Sequence, residues 1–249
     1  MVKKLLAGSL LAALMVAPGA FAQDAPELVN VLTVRTKLGQ QQEYEALLKD
    51  IWGAFKKAGV EQSIFVSSSA SEPGAYTFVT PFSTWTEFGE LNAKINQGFS
   101  SIPMVMQKMA STYTHTETEV WAARPDLSYT PANPRLVPDE GKYTRISFFY
   151  PHPDKALNFE SVVQKFNALN EKHGNTSGSA VFQLAVGPDA PAYAVLIDGK
   201  DEADYFAEAA KFQQKTAAEA QAIIEGAGEI LRRIEYEGTI PRLDLSYQP

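Results

Sequence analysis

The sequence of 249 residues contains no cysteine and carries a formal net charge of −7. The absence of cysteine excludes disulfides, thiolate metal sites and cysteine nucleophiles, so an apolar core must hold the fold together. The negative charge argues against nucleic acid and anionic lipid as partners, because both attract basic protein surfaces.

The first 22 residues have the order of a secretory signal peptide. Lys3 and Lys4 precede an apolar run over 5–16, and small residues at positions 20 and 22 frame a cleavage site after Ala22. The apolar run is too short to span a bilayer. We therefore expect a signal peptide at 1–22 and an exported, soluble protein, periplasmic or secreted, without membrane insertion.

Two parts of the chain resemble each other at a spacing of 117 or 118 residues. Residues 124–131 (RPDLSYTP) agree with residues 242–249 (RLDLSYQP) at six of eight positions, and residues 75–79 (AYTFV) resemble residues 192–196 (AYAVL). The repetition predicts a duplicated unit. We expect repeats with their tails at 23–131 and 143–249, joined by a linker at 132–142.

The first copy has a clear order of predicted elements. Apolar and β-branched residues predict a strand, and a full apolar stripe then predicts a long helix. Thr84 and Glu87 have the spacing of a capping box at the start of a second helix. The predicted elements are a strand at 28–36, a helix at 40–58, strands at 62–69 and 75–80, a helix broken near 98–103, and a strand at 113–121.

The second copy repeats this order. Its predicted elements are a strand at 143–150, a helix at 154–172, strands at 179–186 and 192–197, a helix at 201–226 and a strand at 231–237. Each copy therefore reads β-α-β-β-α-β, the ferredoxin-like unit. The expected fold class is α+β, with two tandem ferredoxin-like units and antiparallel sheets.

This element order, the copy length and the long helix between the third and fourth strands resemble the dimeric α+β barrel superfamily. That group includes antibiotic-biosynthesis monooxygenase-like and NIPSNAP-like domains. The resemblance covers both copies and implies that the two sheets face each other as a pseudo-dimeric α+β barrel. It implies no single activity, because one fold hosts many functions.

Polar side chains alternate along the closing strand of each copy. His115 and Glu117 lie on the first closing strand, Arg233 and Glu235 occupy the corresponding positions of the second, and Arg145 lies on the first strand of the second copy. Facing inward, these side chains could bind a small ligand or give the histidine a general-base role. Alternatively, they form a solvated face or ion pairs between the copies.

The three histidines, His115, His152 and His173, have no metal-ligand spacing. We therefore expect no metal and no cofactor, and a small polar or aromatic ligand bound between the repeats. Two alternatives remain open: a cofactor-free, monooxygenase-like enzyme and a haem enzyme of chlorite-dismutase-like architecture. The latter needs an axial histidine with a hydrogen-bonding partner. A homo-oligomer is compatible with all three functions.

The matched tails predict a structural role. Tyr129 and Tyr247 follow an Asp-Leu-Ser sequence after the last strand of their copies. A tyrosine can bury its ring while its hydroxyl finds one partner, and the preceding aspartate can fix a turn. We expect both tails to be docking segments that latch the units together by packing, not catalytic segments.

Overall fold

The computed structural model describes residues 27–137, 140–225 and 227–249. The predicted signal peptide lies outside the described residues. The chain forms two compact units, one of residues 27–121 with Ile240–Pro249 and one of Ala122–Thr239. Each unit thus contains one repeat and the tail that follows the other repeat. None of the described helices combines the length and apolar character needed to cross a bilayer.

The first repeat has four strands and three helices. These are β1 (Leu28–Thr36), α1 (Gln41–Lys57), β2 (Phe65–Ser69), β3 (Ala75–Phe82), α2 (Trp85–Ser100), α3 (Pro103–Thr112) and β4 (Tyr113–Ala123). The strands lie in the order β4-β1-β3-β2. β3 is antiparallel to both β1 and β2. Every predicted element is present, including the break between α2 and α3, and the bounds differ by a few residues.

The second repeat contains β5 (Tyr143–Pro151), α4 (Ala156–Lys172), β6 (Ala180–Val186), β7 (Tyr193–Gly199), α5 (Glu202–Ile224) and β8 (Leu231–Pro241). Its strand order is β8-β5-β7-β6, the same as in the first repeat. This shared order confirms the duplication and the predicted α+β class of two ferredoxin-like units with antiparallel sheets. Two elements differ: a 3₁₀ turn at Pro153–Lys155 precedes α4, and another at Ala227–Glu229 stands where the first repeat has α3.

Local sequence sets the ends of the helices. The Thr84 hydroxyl accepts a hydrogen bond from the Glu87 backbone N–H at 3.1 Å, as the capping box predicts, and the Glu87 carboxylate accepts one from the Ser83 backbone N–H. The Asp201 carboxylate caps α5 by accepting the Asp204 N–H at 2.8 Å. Glycines with positive φ follow α1 and α4, where a side chain would be strained.

The core of the first repeat is dense. The predicted apolar stripe of α1 packs against the sheet, together with side chains from α2, α3 and the tail of the second repeat. The buried side chains of this cluster include Tyr44, Leu47, Leu48, Ile51, Phe55, Val66, Phe78, Leu91, Met109, Leu245 and Tyr247. Aromatic rings fill its centre, with Trp52 and Phe55 5.5 Å apart between centroids.

The tail of the second repeat completes this core. The Tyr247 backbone pairs with Ile64 as an extra β-bridge. The Tyr247 hydroxyl donates to the Val60 carbonyl at 2.9 Å, and the Trp52 indole N–H donates to the Leu245 carbonyl at 2.8 Å. The predicted docking of this tail is confirmed in these contacts.

The tail of the first repeat makes the same contacts in the other unit. The Tyr129 backbone pairs with Ser179, and its hydroxyl donates to the Asn175 carbonyl at 2.9 Å. Asn167 takes the place of the indole, since its Nδ2 donates to the Leu127 carbonyl at 2.7 Å. The two docking sites therefore correspond residue by residue.

An arginine at the start of each tail fixes the tail to a helix. Arg124 bonds Asp126 of its own tail and Glu160 of α4, and Glu160 also accepts the Tyr193 hydroxyl at 2.6 Å. Hydrogen bonding to Arg124 holds the pKa of Glu160 below its usual range. Arg242 makes the equivalent set of contacts in the other unit.

Candidate functional site

A cavity of about 540 Å³ lies inside the second repeat, between its sheet and helices α4 and α5. Its wall is predominantly apolar, with side chains from all four strands and both helices. The lining includes Phe149, Phe159, Val162, Val163, Phe166, Val181, Val195, Ile197, Phe212, Ile230 and Ile234. A concave, mainly apolar space of this size is typical of a small-molecule site.

Comparing equivalent strand residues of the two repeats shows which side chains leave this space unfilled. Tyr76 and Tyr193 are equivalent, because each donates its hydroxyl to a glutamate on the first helix of its repeat. Counting along the paired strands from these tyrosines makes Ser147 equivalent to Leu32 and Val195 equivalent to Phe78. Two large side chains of the first core are therefore replaced by small ones on the cavity floor.

The first helix of each repeat shows replacements of the same kind. Glu45 of α1 and Glu160 of α4 accept those tyrosine hydroxyls, which aligns the two helices. The aligned positions put asparagines in the second repeat where aromatic and apolar residues fill the first. Asn167 replaces Trp52, Asn170 replaces Phe55, Asn175 replaces Val60 and Ser179 replaces Ile64.

The missing third helix removes more packing. In the first repeat, Ile102, Val105, Met106 and Met109 at the start of and along α3 contribute to the core. The 3₁₀ turn at Ala227–Glu229 is too short to supply such a set. Side chains fill the equivalent region of the first repeat, whereas the second repeat leaves this space unfilled.

The cavity opens to solvent beside α5 and β8. Ile224 and Tyr236 line it although they are 50% and 58% exposed, and the lining Ile234 is also exposed. Exposed apolar side chains around a concave opening mark a place where an apolar partner gains by burial. A small molecule can thus enter without unfolding the repeat.

Amides and one arginine form a polar part of the wall. Asn175 Nδ2 donates to Asn170 Oδ1 at 2.9 Å, which fixes both side chains. Arg135 bonds Asp204 at 2.8 Å and the Ser177 hydroxyl at 2.9 Å, so a carboxylate already neutralises its charge. This part of the wall offers hydrogen bonds without a free charge.

Among the residues predicted for ligand binding, Arg145 lies beside the cavity. It shares a face of β5 with Ser147 and Phe149, both of which line the space. Its guanidinium carbon is 4.8 Å from the ring centroid of Tyr236. Burial raises the pKa of the nearby Tyr205 phenol above its usual value, and the charge of Arg145 opposes that shift.

Arg233 and Glu235 lie together on the opposite face of β8. The Arg233 guanidinium is 3.9 Å from the Tyr150 ring centroid, and its Nε is 3.4 Å from Glu235 Oε1. Tyr150 also donates its hydroxyl to Glu235 at 3.0 Å, and burial with this hydrogen bond raises the pKa of Tyr150 to about 12. The side chains next to them on β8, Ile234 and Tyr236, face the cavity instead.

His115 and Glu117 lie on β4 of the first repeat, in the other unit. Both side chains are exposed, and His115 Nε2 is 3.8 Å from Glu117 Oε2. The five predicted residues thus form two local pairs and one separate arginine. Sequence reasoning missed the residues that line the cavity, because the spacing of 117 or 118 residues in the strands and tails does not hold in the first helices, where the hydrogen-bonded Glu45 and Glu160 are 115 residues apart.

No family model matches the chain, and no curated protein matches it. Solved structures do. An anthrone oxidase-like protein has a TM-score of 0.62 at 11% identity, covering 89% of this chain and 93% of its own. Chlorite dismutase from Candidatus Nitrospira defluvii has a TM-score of 0.54 at 12% identity, covering 90% and 95%. At these identities the similarity shows the fold alone, that of monooxygenase-like and chlorite dismutase-like α+β proteins.

The described residues around the cavity provide no axial histidine for a haem. No histidine, cysteine or methionine is among the described lining residues. His173 ends α4 as predicted, but its Nε2 bonds Glu219 Oε1 at 2.8 Å, and neither side chain lines the cavity. Within the described part of the chain, no group of three His, Cys, Asp or Glu residues could hold a metal ion.

Proposed function

We propose that this chain binds a mainly apolar small molecule with an aromatic or polycyclic body in the cavity of the second repeat. One observation carries the proposal. Positions that hold Leu32, Phe78, Trp52 and Phe55 in a packed repeat hold smaller or polar residues in its duplicate. The location differs from the site expected between the repeats, which stays a prediction.

The energetic cost of replacing large buried side chains by small ones favours a functional origin for the cavity. Replacing a large buried side chain by a small one typically costs about 2–5 kcal/mol, and several such replacements coincide here. A ligand that binds only the folded state offsets this cost by mass action. A repeat with this cavity therefore gains stability from its ligand, whereas the first repeat needs none.

Restoring the first repeat's side chains tests the proposal. N-phenyl-1-naphthylamine, a neutral aromatic fluorophore, would be titrated into the parent and into Asn170→Phe and Val195→Phe variants. We expect fluorescence enhancement with the parent and at least a roughly tenfold loss of affinity in both variants, with a higher melting temperature. Leu157→Phe on the exposed side of α4 is the control, and it should bind like the parent. Equal binding by the filled variants would show that the probe binds elsewhere.

A second candidate function is cofactor-free oxidation. Glu208 is the one carboxylate among the described lining residues, and it forms an ion pair with Lys211 at 2.5 Å. A carboxylate beside a mainly apolar wall can act as a base toward an activated carbon. With anthrone as the probe, Glu208 would take a proton from the ring methylene, and dioxygen would convert the carbanion to the quinone with release of water. Oxygen uptake that is lost in Glu208→Gln would support this reaction, and no uptake by the parent would exclude it.

We also propose that the protein is exported. The motivating observation is the charge, apolar run and small-residue order of the first 22 residues. Intact mass should show exported protein that begins at Gln23, and its absorption spectrum should lack a Soret band. Retention of residues 1–22 in exported material would contradict the first expectation, and a Soret band would contradict the second.

A further inference from the structure

The second repeat places one arginine at the edge of its cavity. Arg145 lies on the central strand β5, opposite Ile197 of β7 and Gly238 of β8. Ile197 lines the cavity, and the next residue of β5 on the same face, Ser147, lines it as well. The Arg145 side chain therefore starts from the cavity side of the sheet.

Arg145 differs from the other arginines in its partners. The sequence has seven arginines, and the other six each have a carboxylate oxygen within 4.0 Å of a guanidinium nitrogen. Among the residues that the structure describes, no carboxylate lies at that distance from Arg145. Its guanidinium carbon lies over two aromatic rings, 4.8 Å from the centroid of Tyr236 and 5.9 Å from that of Phe206.

This environment suits an anion. Stacking on an aromatic face holds a guanidinium in place while its N–H groups remain directed outward. Those N–H groups match the two oxygens of a carboxylate and form charge-assisted hydrogen bonds with it. The first repeat, whose equivalent region is a packed core, has the uncharged Asn30 at the equivalent position. The repeat that has the cavity is thus also the one with a positive charge at this position.

We infer that the ligand is an amphipathic organic anion, with its apolar body in the cavity and its acidic group on Arg145. The inference rests on the proposed function and specifies its ligand class. The protein's net charge of −7 repels anions in general, so an acidic ligand needs a specific positive group. Arg145 supplies that group at the edge of a mainly apolar wall.

Two probes with one skeleton separate charge from apolar binding. 8-Anilino-1-naphthalenesulfonate carries a sulfonate on the same aromatic frame as neutral N-phenyl-1-naphthylamine. We expect Arg145→Gln to weaken binding of the sulfonate at least about tenfold, which is about 1.4 kcal/mol, and to change binding of the neutral probe less than about twofold. Arg35→Gln removes an exposed, paired arginine from the other unit and should change neither affinity.

Competition extends the test to carboxylates. 2-Naphthoate should displace the neutral probe from the parent more strongly than methyl 2-naphthoate, and this preference should vanish in Arg145→Gln. Failure of the neutral probe to bind the parent would overturn the proposed function itself. If the neutral probe binds but Arg145→Gln leaves the sulfonate affinity unchanged, or weakens both probes equally, the apolar cavity stands and the anionic ligand is refuted.

Discussion

Truncating Tyr247 to alanine tests whether the tail of the second repeat is part of the first repeat's core. The side chain is 3% exposed, and its ring centroid lies 5.6 Å from that of Trp52 and 6.1 Å from that of Phe55. Removing a buried aromatic ring typically costs about 3–5 kcal/mol. For a unit of about 100 residues, such a loss should lower the melting temperature by about 10 °C or more.

A second variant of Tyr247 separates packing from hydrogen bonding, and two variants at other positions serve as comparisons. Tyr247→Phe keeps the ring but leaves the Val60 carbonyl without its 2.9 Å donor, which should cost about 1–3 kcal/mol. Tyr129→Ala should cost less than Tyr247→Ala, because Tyr129 is only partly buried and its unit contains the cavity. Leu243→Ala, at an exposed position of the same tail, should leave the free energy of unfolding unchanged.

Urea unfolding followed by circular dichroism would measure these differences, and tryptophan fluorescence would follow the Tyr247 variants, since Trp52 contacts that tail directly. Binding of N-phenyl-1-naphthylamine would be measured on the same samples. The reasoning fails if Tyr247→Ala and Tyr129→Ala both unfold at the parent's urea midpoint. If probe binding disappears in those variants while the midpoint stays, the tails belong to the ligand site.

Three other predictions follow from single contacts. Burial raises the pKa of the Asp198 carboxyl to about 6, against the hydrogen bond from Thr144. The folded state then binds the proton more tightly, so this carboxyl lowers stability as the pH rises from about 4 through 6. Asp198→Asn should therefore raise the free energy of unfolding at pH 7 by about 1–3 kcal/mol and leave it unchanged at pH 4, and an equal change at both pH values would contradict this. Gly238→Ala would place a methyl group 2.5 Å from the buried Tyr143 hydroxyl, so thermal denaturation should show a loss of about 1–3 kcal/mol. Thr84→Ala removes the cap of α2 and should cost about 1 kcal/mol in urea unfolding, whereas Thr84→Ser should cost little.

Local patterns in the sequence determined the elements and their order. The stripe of α1, the cap at Thr84 and the break before Pro103 each depend on residues a few positions apart, so all three were visible without a tertiary structure. The duplication was visible because the tails and the third strands kept their residues. Together these signals were enough to predict two ferredoxin-like units.

The candidate site depended on the tertiary structure. The sequence placed polar side chains on β8 correctly by alternation, but only the packed helices show that Ile234 and Tyr236, not Arg233 and Glu235, face the cavity. Alternation separates two faces of a strand without saying which one the helices cover.

The sequence also could not show that each tail docks in the unit that contains the other repeat. Both tails were expected to dock, but their partners, Ile64 and Ser179, lie more than 45 residues away along the chain. The same holds for the cavity, where Asn167 and Asn170 of α4 meet Val195 of β7. A local pattern reports how a residue suits its own helix or strand, whereas an unfilled volume arises only when distant elements pack and their side chains fail to fill the space between them.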